Sequence, residues 1–285
     1  MISIILYLSV PSVADLSAGI QKNAVTNPHL SKALSNNRSN ATIRGMQHYA
    51  LYLCLGCLGA TFLAAQAAQN PNNDQNAVEI TSEPHHHLTL ENQYVRVFNV
   101  EVDPNVQTQM HIHRHDYIAI TLGDAEVSNT VKEKPPVTVH LPAGDVRFAQ
   151  ATLIHFVKDI GPEPFRNVTI ELLQPSPNAQ WDEDRGLEVL DRGTKQILFV
   201  KDGVRVTEFE LQPGGTVPKQ HHAGPLLLVA VTDLDLREND ATKVSQGPLS
   251  GRFKSGDHKW LPADYASAIT NTGTKAAKFV ILEFQ

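Results

Sequence analysis

The chain reads His111-Ile112-His113-Arg114-His115-Asp116, and a further histidine, His155, follows about forty residues later. On a β-strand, residues two apart share a face, so His111 and His113 can present both imidazoles to one cation. Asp116 adds a carboxylate. By parity it shares a face with Ile118 and Ile120, the face expected to point inward, and a carboxylate there needs a cation or strong donors to offset its desolvation. His115 is the rival fourth donor, although its parity points it outward. Three imidazoles with a carboxylate and no thiolate suit one divalent Fe, Mn, Ni, Co or Zn ion, and donor type does not choose among them. Imidazole ligates in its neutral form, so binding is expected to weaken below about pH 6. The run His85-His86-His87 reads instead as a solvated surface.

The elements that must carry these side chains read as strands. Tyr94 to Val102, Asn167 to Leu173, Val204 to Leu211 and Ala277 to Phe284 alternate polar with apolar or β-branched residues. Asp103-Pro104-Asn105, Pro142-Ala143-Gly144, Gly161-Pro162 and Pro213-Gly214-Gly215 punctuate them as turns. Short strands at regular spacing, without a sustained helical period, predict an all-β sandwich or barrel.

An internal repeat with a period of about 109 to 112 residues organises the chain. Val95-Arg96-Val97 recurs as Val204-Arg205-Val206, and Ile118-Ala119-Ile120-Thr121 as Val229-Ala230-Val231-Thr232. Gly144-Asp145 recurs as Gly256-Asp257, Phe148 as Trp260, and Glu171 as Glu283. The second copy serves as a control for the cluster. It places His222 opposite His111, Gly224 opposite His113, Leu227 opposite Asp116 and Ser267 opposite His155. Loss of donors as a set is what a shared ligand role predicts.

The paired motifs resemble those of the cupin superfamily: HxH followed by an acid, then PxG followed by a histidine. The resemblance covers about residues 85–285 and implies two tandem cupin-type barrels, each a double-stranded β-helix or jelly roll. It implies that His111, His113 and His155 hold a metal, with Asp116 near the family's acid. Asp116 lies one residue closer to the HxH pair than usual, and Asp159 replaces the family's later Asn. It further implies dioxygenase, isomerase or lyase chemistry on a small molecule, with Tyr117 and His115 as candidates for proton transfer. The alternative is a small-molecule binding module without turnover, in which Trp260, Lys219 and His222 lie near the mouth of the second barrel. A third reading makes that barrel structural, burying an edge of the first or supporting a homodimer.

A formal charge of -6, with no basic run, excludes a nucleic-acid binder. The two cysteines, Cys54 and Cys57, sit within the apolar run Ala50 to Ala65, which has the length of a signal-peptide core and precedes Ala65-Gln66-Ala67. Residues 1–45 then form an extension or a misassigned start, 46–67 a signal, and 68–84 a flexible mature N-terminus. The first barrel follows at 85–174, a connector at 175–195 and the second barrel at 196–285. This order predicts a periplasmic or secreted protein with no stable membrane span after cleavage.

Overall fold

The computed structural model describes residues 77–176, 178–239 and 248–285. The expected extension, the signal and both cysteines lie outside the described residues. The first barrel contains β1 (Val78–Glu79), β2 (His86–Glu91), β3 (Val95–Val102), β4 (His111–His113), β5 (Tyr117–Thr121), β6 (Ala125–Val131), β7 (Val137–Leu141), β8 (Val146–Ala149), β9 (Leu153–Asp159) and β10 (Phe165–Leu172). The second contains β11 (Gly186–Leu190), β12 (Gly193–Lys201), β13 (Val204–Leu211), β14 (Thr216–His222), β15 (Leu226–Ala230), β16 (Leu234–Asn239), β17 (Gly251–Phe253), β18 (His258–Leu261), β19 (Tyr265–Asn271) and β20 (Ala277–Phe284). Among the described residues no helix is long and apolar enough to cross a membrane.

Each barrel is a pair of sheets. In the first, β1-β4-β9-β6-β7 faces β2-β3-β10-β5-β8 across a core that includes Phe98, Val100, Val102, Val127 and Phe165. In the second, β11-β12-β13-β20-β15-β18 faces β14-β19-β16-β17 across a core of Phe209, Leu228, Leu236, Phe279 and Ile281. Val, Ile and Phe fill these strands because branched and aromatic side chains pack well on a pleated surface. The PxG turn of the first barrel and its counterpart place Gly144 at φ +83 and Gly256 at φ +94, a conformation that favours glycine.

A third core joins the barrels. Val97, Ile118, Ile120, Val168 and Ile170 from the outer face of the first pack with Val206, Leu227, Val229, Val280 and Leu282 from the second. This reverses one expectation. Ile118 and Ile120 do not face the interior of the first barrel; Tyr117 and Ala119 do, together with Asn167 and Thr169 of β10. Trp260 belongs to the same inter-barrel packing, with its ring 5.5 Å from that of Tyr94 and 5.4 Å from that of Phe284, and not to a mouth. Ile118→Ala should therefore cost about 2–5 kcal/mol in chemical denaturation, from the cavity it leaves between barrels, without changing the chemistry inside the first.

Strand registers also correct the repeat. Ile118 pairs with Ile170 and Phe148, whereas Leu227 pairs with Leu282 and Trp260, so Leu227 answers Ile118 and not Asp116. His111 pairs with His155, and Gln220 with Ser267, so Gln220 answers His111 and His222 answers His113. The barrels also start earlier than expected. β1 pairs in parallel with β4, and Ile80 is buried, so residues 78–84 belong to the first barrel and are not a flexible lead-in. Likewise β11 and the start of β12, within the expected connector, pair as part of the second barrel's sheet.

Candidate metal centre

β4 and β9 run side by side, and their register sets His111 directly opposite His155. His113 lies two residues along β4 on the same face. The Nε2 atoms of His111 and His113 are 3.2 Å apart, and those of His113 and His155 are 3.1 Å apart. A fourth ring comes from β2: one nitrogen each of His86, His111 and His113 lies within 4.8 Å of the others. The side chain of His86 is only 6% exposed, so the expectation of a solvated surface fails at this residue of the run.

The outer nitrogens decide which way the lone pairs point. His111 Nδ1 donates to the Gln109 carbonyl at 2.8 Å, His155 Nδ1 to Asn129 Oδ1 at 2.9 Å, and His86 Nδ1 to Glu83 Oε2 at 2.5 Å. These acceptors carry no proton, so each ring, in the neutral form that ligates, holds its hydrogen at Nδ1 and leaves the Nε2 lone pair free. Burial lowers the His111 pKa to about 4, helped by nearby His86, and holds His113 and His155 well below the ordinary imidazole range. All three rings are thus neutral near pH 7.

Glu83 anchors this arrangement. It is 2% exposed and accepts from the His86 ring, the His85 ring and backbone, and the Gln109 N–H. Burial by itself would raise its pKa, but these donors override that and bring it down to about 2. Sequence reasoning missed Glu83, His86 and Asn129. Only the spacing of Glu83 three residues before His86 offered a signal, and Asn129 offered none.

The remaining expected site residues divide. Tyr117 lies in the interior, its ring stacked on His113 with centroids 3.9 Å apart. His115 is half-buried in the bend between β4 and β5 and does not line the cavity, and its pKa is lowered by burial and by Arg96. Asp116 is not drawn into the cluster. It precedes the strand on the parity that faces away from the interior, and its Oδ1 accepts the Ala151 N–H at 2.6 Å, tying the β8–β9 turn to β5. The desolvation expected for this carboxylate is therefore met by a backbone donor.

Beside the imidazoles lies a cavity of about 100 Å³, lined by Val100, Val127, Val139 and Phe165, with Arg147, Asn167 and Thr169 as polar members. In the second barrel, Gln220, Ser267 and Lys195 stand at the positions of His111, His155 and His86. His222 persists opposite His113, but its Nδ1 lies 3.1 Å from Glu283. Buried Leu228, Phe279 and Ile281 replace Ala119, Asn167 and Thr169, so large apolar side chains stand where the first barrel has room.

The donor set fits a divalent cation. Metal–nitrogen bonds of about 2.0–2.1 Å place neighbouring donors roughly 2.9–3.4 Å apart in octahedral or tetrahedral shells, and the observed spacings of 3.1 and 3.2 Å fall within that range. Among solved structures, one of oxalate decarboxylase aligns at a TM-score of 0.51 and 11% identity, covering 68% of this chain and 69% of that one. Another, from work on the Mn(II) centres of the Bacillus subtilis oxalate decarboxylase, aligns at 0.50 and 11% identity, covering 70% and 75%. The chain has the two-barrel cupin fold. AerE from Microcystis aeruginosa also aligns, at a TM-score of 0.48 and 12% identity, covering 71% of this bicupin and 98% of that chain. No family model and no curated protein matches the bicupin sequence.

Acid should destabilise the metal-free bicupin early. The three imidazoles have folded-state pKa values below their unfolded value of 6.5, so the stability they contribute is complete above pH 6.5 and is lost as pH falls. For His111, with a folded value near 4, this loss is on the order of 3 kcal/mol. Thermal melts between pH 7.5 and 4.5 should show it, and added divalent metal should move the loss to lower pH.

Proposed function

We propose that the first barrel is a mononuclear divalent-metal centre acting on a small molecule in the adjoining cavity, and that the second barrel is structural. The observation that carries this reading is the inward turn of three Nε2 lone pairs whose Nδ1 atoms are all engaged by acceptors. A cation would satisfy those lone pairs together, whereas a proton on His113 Nε2 can serve only one of its two neighbours at a time. His86, His111, His113 and His155 would hold the ion, which would act as a Lewis acid on an oxygen of the bound molecule. Tyr117, whose ring stacks on His113 and lines the cavity, is the candidate for proton transfer at its phenol oxygen. Val100, Val127 and Phe165 give the cavity an apolar wall.

The reaction class is taken to be an oxygenase, isomerase or lyase reaction. The binding-module alternative, which relied on the mouth of the second barrel, loses Trp260 to the inter-barrel core. Export to the periplasm or outside the cell remains part of the proposal and rests on the apolar run Ala50 to Ala65 with its Ala65-Gln66-Ala67 site.

The test is elemental analysis of the purified protein, followed by a small-molecule screen monitored by oxygen uptake and product formation. One divalent ion per chain, together with turnover of a small substrate, is the expected result. A protein that retains no divalent metal after loading and desalting would overturn the reading.

A further inference from the structure

Three of the four rings are held at their outer nitrogens, and the fourth is not. Gln109, Asn129 and Glu83 accept from His111, His155 and His86. His113 Nδ1 is buried without a hydrogen-bond partner among the described residues. Yet the cluster depends on this ring, because its Nε2 lies 3.2 Å from that of His111 and 3.1 Å from that of His155. A ring free to turn about its Cβ–Cγ bond would spread that atom over several positions, and a ligand shell tolerates little of this. Something other than an acceptor must hold it.

The ring of Tyr117 is placed to do so. It stacks on His113 with centroids 3.9 Å apart and planes 18° from parallel. The other rings meet His113 at steeper angles, 62° for His111, 50° for His155 and 73° for His86. Because β4 and β5 belong to facing sheets, the stack crosses the barrel. Tyr117 is itself buried, and its strand pairs with Glu171 on one side and Ala149 on the other. Turning the imidazole would drive its edge into the phenol ring, so close packing resists the rotation.

The second barrel shows the same position without the stack. Leu226 is the cross-strand partner of Glu283 as Tyr117 is of Glu171, so Leu226 answers Tyr117 and offers no aromatic face. His222, which answers His113, has its Nδ1 3.1 Å from Glu283 Oε2 instead. In the first barrel neither oxygen of the buried Glu171 has a hydrogen-bond partner among the described residues, and Arg96 stands 3.7 Å away. The ring is thus set by a carboxylate in the copy that lacks the other imidazoles and by an aromatic face in the copy that has them.

We propose that Tyr117 is a positioning residue whose ring, and not its hydroxyl, fixes His113 in the orientation that ligates; this rests on the metal reading of the first barrel.

The experiment loads the full chain with zinc and competes it against a chelator, for the parent, Tyr117→Phe, Tyr117→Leu and Glu171→Gln. Tyr117→Phe keeps the face and should bind zinc within about threefold of the parent. Tyr117→Leu gives the first barrel the residue of the second and should lose about 10–100-fold, the range for groups that orient a metal ligand. Glu171→Gln should stay within about threefold of the parent, because the carboxylate does not hold this ring. Visible spectra of the Co(II)-loaded proteins are the second readout, and they should change in Tyr117→Leu and not in Tyr117→Phe. Should Tyr117→Leu fail to fold, Tyr117→Met removes the face with a more adaptable side chain and carries the same expectation. Unchanged affinity without the aromatic face would overturn the proposal. So would a loss in Tyr117→Phe or in Glu171→Gln as large as that in Tyr117→Leu. Failure of the metal reading would look different, since the parent itself would retain no zinc.

Discussion

His113→Ala should empty the centre, reducing bound divalent metal from one ion per chain to less than about a tenth of that after desalting. The Nε2 of His113 is the atom within 3.2 Å of both His111 and His155, so its removal takes away the donor that joins the other two. The fold should survive the change. The His113 ring is buried and its Nδ1 has no hydrogen-bond partner among the described residues, so truncation strands only the Nε2 atoms of His111 and His155, whose rings stay held through Nδ1. Asp116→Ala makes the matching control. It should retain the metal and lose only the hydrogen bond to Ala151, a cost of about 1–3 kcal/mol. Metal analysis of both variants beside the parent checks this, and equal metal content in parent and His113→Ala would refute the role given to this ring.

Glu83→Ala should harm both fold and centre. The carboxylate accepts from His86, His85 and the Gln109 N–H while fully shielded from water. Its loss strands those donors, and removing one partner from a buried charged network costs roughly 3–5 kcal/mol. It also frees the His86 ring to turn, and outer-shell partners of this kind are worth about 10–100-fold in metal affinity. Glu83→Gln should recover part of the stability, because an amide oxygen still accepts one donor, but less of the affinity. Urea denaturation of the metal-free proteins and competition for metal against a chelator separate the two effects. An affinity unchanged in Glu83→Ala would mean that His86 is not a ligand.

Much of the centre was legible in the sequence because it depends on strand parity. His111 and His113 two apart follow from period-two geometry, and His155, which lies across the neighbouring strand, came from the cupin resemblance. The face of β5 was not legible, and the reason is physical. That strand is buried on both sides, by the barrel interior through Tyr117 and by the inter-barrel core through Ile118 and Ile120, so no polar face marks its orientation. Asp116 was assigned to the interior for the same reason. The repeat could slip by two residues without disturbing the alternation, and that slip set Leu227 against Asp116 in place of Ile118. His86 was hidden because its setting depends on a distant segment: Glu83, its partner, is pinned by Gln109, 26 residues away in the connection before β4. The run His85-His86-His87 carries no local sign of that contact.

The convergence of imidazoles on one ion is tested most directly by X-ray absorption spectroscopy of the zinc-loaded protein. The expected spectrum has a first shell dominated by nitrogen at about 2.0–2.1 Å, with the outer-shell scattering of three or four imidazoles. A first shell made of oxygen, without imidazole scattering, would place the zinc on surface carboxylates and contradict the reading of the first barrel.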